Sequence, residues 1–309
     1  MIVVHSQLRL ARESSEEGGG GGGGGKRRGS DNEGSVIVTP GELVTATASN
    51  FLAGHGTRVD GEGRLVSTIS GVVERINKLL SVVPARRRYA GEVGDVVVGK
   101  VVDVQMKRWI VDVGGRQDAV LMLTSANLPH GVQRRRTQED QLRMRSLYAE
   151  GDIISAEVHS FFQDGVMSIH ARNLKYGKLE NGQLVRVSAS LMRRLKQHFV
   201  TLPSLGVELI LGMNGRVWIT QDYSFTADAS KDAEELQRSR EEKALRKIGA
   251  DARRNIGLVR NALLVLDAAY LPIFPGSILA VVEEAQRQGL ACASVLDPKN
   301  MKSLTSRIF

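Results

Sequence analysis

Residues 91–127 read GEVGDVVVGKVVDVQMKRWIVDVGGRQDAVLMLTSAN, and the fold turns on them. Val96 to Val98 open an apolar run that continues through Val101, Val102 and Val104. The polar turn Gln105-Met106-Lys107-Arg108 follows, then Trp109-Ile110-Val111-Asp112-Val113, closed by Gly114-Gly115. Ala119-Val120-Leu121-Met122-Leu123 makes a third run. β-Branched runs of strand length, divided by glycine and charged turns, predict an antiparallel meander. A second opening of the same kind, Gly151-Asp152-Ile153-Ile154-Ser155-Ala156-Glu157-Val158, precedes a polar break at Gln163-Asp164-Gly165 and a short run from Val166 to His170. Three strands, an insertion and two more strands match a five-stranded OB barrel.

The flanking sequence narrows this. The barrel residues resemble the OB-type RNA-binding domain named after the first protein of the small ribosomal subunit. PGELVTATASNFLAGHGT (40–57), RRYAGEVGDVVVGKV (87–101), ISAEVHSFFQDGVMSIHARNLKYGKL (154–179) and LILGMNGRVWI (209–219) lie in one order. Together they resemble the RNA-binding cap subunits of the eukaryotic exosome and, within that group, the family of ribosomal RNA processing protein four. The resemblance is strong over residues 36–220. It implies a non-catalytic subunit that stabilises the ring and guides single-stranded RNA to the pore for 3'-5' processing and decay. It also implies hetero-oligomeric assembly with ring subunits and associated ribonucleases, and a location in the nucleus and nucleolus and also the cytoplasm. A free-standing translational or mRNA-binding protein is the alternative, because the same barrel would serve it.

Composition is compatible with both. The 309 residues suffice for two or three domains, and a hydrophobic content of 42% allows real cores. No apolar run approaches the roughly 20 residues of a membrane span, and no leader-like segment opens the chain, so neither membrane insertion nor export is expected. The single cysteine, Cys292, excludes an intramolecular disulfide and a cysteine zinc cluster, and its apolar neighbours predict a small buried side chain. A net charge of +8 suits a polyanionic partner.

Outward from the barrel, four regions emerge. Residues 1–34 form a glycine-rich arm expected to be disordered, with an unbroken glycine run from Gly18 to Gly25. That run and Lys26 imitate a phosphate loop, but Arg27 stands where a magnesium-binding Ser or Thr belongs. Lys26-Arg27-Arg28 could act as a nuclear address. Residues 35–85 read as short strands with glycine turns, a small β domain that the resemblance assigns to ring docking; Gly54-His55-Gly56 reads as a tight turn. Residues 86–172 carry the barrel. Its insertion holds Arg134-Arg135-Arg136 and a short helix beginning near Thr137. Residues 173–309 mix strands with helical spacing over 234–248, 256–268 and 277–288, which fits a KH-like domain with C-terminal helices. The expected fold is therefore multidomain, β then α+β: a small β N-terminal domain, a five-stranded OB barrel and a KH-like α/β region.

Candidate RNA contacts follow from residue type. Aromatic side chains on neighbouring barrel strands normally supply a stacking platform. The matching positions here are Lys107, Ile110 and Met122, and alternation turns Trp109 to the opposite face from Ile110. Stacking is thus expected to be largely lost. A basic rim remains: Lys107, Arg108, Arg116, Arg134, Arg135 and Arg136, suited to phosphates with little sequence preference. Gly212-Met213-Asn214-Gly215 matches the G-x-x-G backbone clamp of KH domains. Its flanks read as strands, however, and Asn-Gly between apolar runs is a hairpin signal, so a structural turn is expected, with RNA clamping as the alternative. Trp218 is expected to pack between domains. The six histidines sit in no metalloenzyme pattern, Asp112 and Asp118 are accounted for by turn chemistry, and no cofactor, metal or catalytic residue is expected.

Overall fold

The computed structural model describes residues 36–46, 48–84, 87–127, 137–173, 175–222 and 247–308. The glycine-rich arm, Lys26-Arg27-Arg28, the Arg134-Arg135-Arg136 triplet and positions 234–246 of the fourth region's first expected helix lie outside the described residues. Two compact units divide the chain, residues 1–86 and 87–309.

The first unit is all β. Its strands are β1 (Ile37–Val38), β2 (Leu43–Thr45), β3 (Leu52–Ala53), β4 (Thr57–Val59), β5 (Leu65–Ser67), β6 (Gly71–Ile76) and β7 (Leu79–Val83). They form a four-stranded sheet, β1-β6-β7-β3, and a three-stranded sheet, β2-β5-β4. Period-two alternation sends Val38, Leu80 and Val82 into the core with Leu65 of the smaller sheet. The opposite face of the larger sheet presents Ile37, Val72, Ile76, Leu79 and Leu52, cross-strand neighbours that all remain exposed. Gly54-His55-Gly56 is a backbone turn, in which the Val82 N–H donates to the His55 carbonyl at 2.8 Å. Gly56 has φ +77°, and a Cβ there would lie 2.8 Å from the Val82 carbonyl oxygen, so only glycine fits.

The second unit begins with the barrel strands β8 (Val96–Val104), β9 (Arg108–Asp112) and β10 (Ala119–Ala126). Two short helices follow, α1 (Gln138–Leu142) and α2 (Met144–Leu147), then β11 (Ile153–Phe161) and β12 (Met167–Ala171). The meander β8-β9-β10 is antiparallel; β11 pairs with β8, and β12 with both β11 and β10. The β10–β12 pairing is parallel, Val120 opposite Ser168 and Leu121 opposite Ile169, and it closes the barrel. Trp109, Val111, Leu121, Ile154 and Ile169 fill the interior. Met144 and Tyr148 of the insertion join that core, and the Trp109 indole N–H donates to the Tyr148 carbonyl at 3.0 Å.

The KH-like region follows a short edge strand, β13 (Gly177–Lys178). Its sheet runs β14-β17-β16-β15, from β14 (Gly182–Arg186), β15 (Phe199–Leu202), β16 (Val207–Leu211) and β17 (Arg216–Gln221). Helix α3 (Ala250–Ala268) packs Ile256, Val259, Leu263 and Leu266 against one face of that sheet, the i, i+3, i+7 stripe of an amphipathic helix. Helix α4 (Pro275–Arg287) starts at a proline whose missing N–H costs nothing in a first turn, and α5 (Pro298–Ile308) covers it. Cys292, expected buried, is half-buried, in a connection whose neighbours Ala291 and Ala293 are exposed. Trp218 packs on Val96, Val98, Ala171, Tyr176 and Ile210, so a third apolar cluster joins the barrel to the KH-like sheet.

Candidate nucleic-acid interface

The outer face of β9 and β10 forms the floor of a groove of about 950 Å³, through Arg108, Ile110 and Val120. The β9–β10 connection supplies Gln117 and Asp118, and the β11–β12 hairpin supplies Phe161, Phe162, Gln163 and Asp164. An adjoining cavity of about 540 Å³ shares Gln117, Phe161 and Asp164 and adds Tyr89, Arg116 and Met167. The hairpin is tightly tied. The Phe162 N–H donates to the Val166 carbonyl at 2.9 Å, the Gly165 N–H returns to the Phe162 carbonyl at 2.9 Å, and the Val166 N–H donates to Asp164 Oδ1 at 3.1 Å. Gly165 takes φ +82°, the left-handed conformation this turn requires.

Phe161 and Phe162 are 42% and 46% exposed, an unusual state for two adjacent aromatics. They lie outside the strands on which a stacking platform was expected to be lost. Strands β9 and β10 indeed offer no aromatic there, Trp109 being buried in the barrel core. The aromatic surface comes instead from the far end of β11. Consecutive residues in a strand point to opposite faces, so a Phe-Phe pair at a strand end cannot be wholly buried in one core. The signal was present in Phe161-Phe162-Gln163-Asp164-Gly165, but a reading confined to the second and third strands passes over it.

The basic rim is only partly assembled at the groove. Arg108 lines it, and its Nε donates to Gln105 Oε1 at 2.6 Å, which anchors the guanidinium on the β8–β9 turn. Arg116 lines the adjoining cavity. Lys107 is exposed on the same turn as Arg108 but lines neither cavity. Ile110 forms floor, while Met122 is half-buried outside both. Arg134, Arg135 and Arg136 lie outside the described residues.

The Gly212-Met213-Asn214-Gly215 turn is in a different state. It joins β16 to β17 and is pressed against the barrel. The Asn214 amide donates to the carbonyls of Val98 and Val113, each at 2.8 Å, and its Oδ1 accepts the Val98 N–H at 3.3 Å. The Met213 N–H donates to the Val96 carbonyl at 2.8 Å. Gly215, at φ +73°, has no room for a side chain, since a Cβ would sit 2.2 Å from the Val187 carbonyl oxygen. Beside it, buried Arg216 donates to the Asp112 carbonyl at 2.6 Å and to Asp112 Oδ2 at 2.7 Å. Asp112 therefore does more than cap its own turn, where Oδ1 accepts the Gly114 N–H at 2.7 Å. Burial raises its pKa, but the hydrogen bonds from Arg216 and Gly114, with the Arg216 charge, outweigh that and hold the carboxyl below its ordinary value. A second tether pairs Arg194 with Glu92 and with buried Asp95, which also accepts the Tyr89 hydroxyl at 2.7 Å. Burial first, and then the Asp95 hydrogen bond and charge, push the Tyr89 phenol far above its usual pKa.

Among the described residues no group of three or more His, Cys, Asp or Glu side chains is arranged to hold a metal ion. Comparison with known proteins finds family matches in three stretches of the chain. Residues 37–76 match the model described as the exosome complex exonuclease RRP4 N-terminal region, residues 88–160 the RRP4 S1 domain, and residues 182–222 a KH domain. Exosome complex component RRP4 of Mus musculus is 43% identical over 268 residues, covering 87% of each chain. Exosome complex component rrp4 of Schizosaccharomyces pombe is 40% identical over 274 residues, 87% of this chain and 81% of its own. The chain belongs to the RRP4 family. The likeness extends to the archaeon Thermococcus kodakarensis, whose exosome complex component Rrp4 is 31% identical over 191 residues, 60% of this chain and 71% of its own. The RRP4 S1 match ends at residue 160, just before the Phe161-Phe162 hairpin and the strand β12 that closes the barrel.

Proposed function

We propose that this chain is a non-catalytic, RNA-binding cap subunit of the RNA exosome, and that single-stranded RNA meets it in the barrel groove. Relatives across eukaryotes and archaea are named as exosome complex components. The observation that carries the RNA reading is the groove itself: two exposed phenylalanines beside amides that have no partner among the described residues, with arginines at the margin. Bases stack on aromatic faces while phosphates track cations, which is how single strands are held. In this reading Arg108 and Arg116 take phosphates, joined by Lys107 and by Arg134, Arg135 and Arg136. The KH-like turn makes no RNA contact in this reading, because the Gly212, Met213 and Gly215 N–H groups and the Asn214 side-chain amide are already used.

The finer partnership is with ring subunits, docked through the first unit. One face of its sheet exposes Ile37, Val72, Ile76, Leu79 and Leu52 around the Glu74–Ser81 pair, largely apolar surface of the kind a stable subunit interface buries. Ribonuclease action then belongs to associated subunits, and the chain works in the nucleus and nucleolus and in the cytoplasm. Affinity purification of the tagged chain, with an RNA-decay assay on complex and isolated chain, tests this. Recovery of a multi-subunit ring, with decay confined to the complex, is expected. An isolated chain that shortens RNA would contradict it, and recovery without ring subunits would favour the free-standing alternative.

A further inference from the structure

We propose that the barrel groove selects guanine, with Asp118 as the residue that reads its Watson–Crick edge. The inference rests on the RNA reading of the same groove and adds what that groove discriminates. A surface that only tracks phosphates should be uniformly basic. The groove instead holds one guanidinium, Arg108, with two carboxylates, Asp118 and Asp164, although the chain as a whole carries +8. Carboxylates repel phosphates, so these two are placed for another part of the nucleotide.

Their engagement differs. Asp164 uses Oδ1 to close its own hairpin. The described residues offer Asp118 neither a hydrogen bond nor an ion pair, and the amides of Gln117 and Gln163 are equally free. Phe161 and Phe162 supply an aromatic surface lining the same groove, on which any base can stack. Selection must then come from the base edge, which single strands expose.

A carboxylate only accepts hydrogen bonds. Guanine presents two parallel donors, N1–H and N2–H, that a carboxylate receives together. Adenine and cytosine present one amine beside a ring nitrogen acceptor, which repels the second oxygen. Uracil presents one N3–H between two carbonyls, which repel both. The Gln117 amide, next to Asp118, donates to the O6 that completes the guanine edge. Asp118 and Gln117 together therefore match guanine and mismatch the other three bases.

The test is fluorescence anisotropy with the full chain at fixed salt, using a labelled ten-nucleotide oligouridine and the same oligomer with one central guanosine, adenosine or cytidine. The guanosine oligomer is expected to bind about fivefold more tightly than the other three, the low end for a bidentate base contact because the groove is open. Asp118→Asn should bring it down to their level. Equal affinity for all four, or a guanosine preference that survives Asp118→Asn, would overturn guanine selection. The double change Phe161→Ala, Phe162→Ala separates the two layers. If it weakens all four oligomers while wild type shows no base preference, the groove holds RNA and guanine selection is wrong. If it weakens none, the groove reading falls and guanine selection with it.

Discussion

Two loops of the second unit carry nucleic-acid signatures, and their polar groups are in opposite states. The β11–β12 hairpin holds two exposed phenylalanines over a groove whose Asp118, Gln117 and Gln163 have no partners among the described residues. The Gly212–Gly215 turn has the G-x-x-G spacing of a phosphate clamp, yet Asn214 is buried and fully hydrogen-bonded to barrel backbone. A clamp works by offering free N–H groups and close backbone approach. Here the Met213 N–H is directed at the barrel, and the close approach that Gly215 permits is taken up by the Val187 backbone. Spacing alone does not identify a binding loop; what decides is whether its donors remain unspent after folding.

The sharpest way to break that contrast is at Asn214. Asn214→Leu leaves the Val98 and Val113 backbone groups unpaired and should cost about 2–4 kcal/mol in denaturant unfolding, with RNA affinity of the folded protein unchanged. Lost affinity at unchanged stability would mean that the turn does touch RNA. The converse change, Phe161→Ala with Phe162→Ala, should weaken single-stranded RNA binding by about 2 kcal/mol, roughly thirtyfold, in a protein that still folds, the loss of their half-buried area costing stability about 2 kcal/mol.

The Arg216–Asp112 clamp gives a smaller, pH-dependent effect. The Asp112 pKa is depressed in the folded state, so the stabilisation is complete above the unfolded carboxylate value of about 3.9 and is lost as pH falls through the folded value. Arg216→Met should destabilise the second unit by about 1–2 kcal/mol at neutral pH and flatten its acid limb, measured by thermal unfolding against pH. Smallest of all, Lys107→Glu or Arg116→Glu should lower the slope of log affinity against log salt by about 0.7 for each phosphate that is no longer neutralised. An unchanged slope would remove that residue from the RNA path.

How legible these features were depends on their range. The barrel strands could be read from β-branched runs and glycine turns, because a half-buried strand imposes its own period on its residues. The hairpin at Asn214-Gly215 was legible for the same local reason. The parallel β10–β12 closure and the Arg216–Asp112 pair, 104 positions apart, leave no local pattern to read. Nor does the sealing of Asn214, which depends on Val98 and Val113 arriving from another part of the chain. The aromatic wall was missed for a different reason. Phe161 and Phe162 sit where β11 runs out into a turn, beyond the strands on which a stacking platform was sought, and only their joint exposure marks them as candidates.

Ultraviolet cross-linking of the full chain to a single-stranded RNA, with the adducts mapped by peptide mass spectrometry, tests the contrast most directly. Adducts on the peptide carrying Phe161 and Phe162, and none on the peptide carrying Met213 and Asn214, are the predicted result. Adducts at Met213 and Asn214 with none at Phe161 and Phe162 would contradict it.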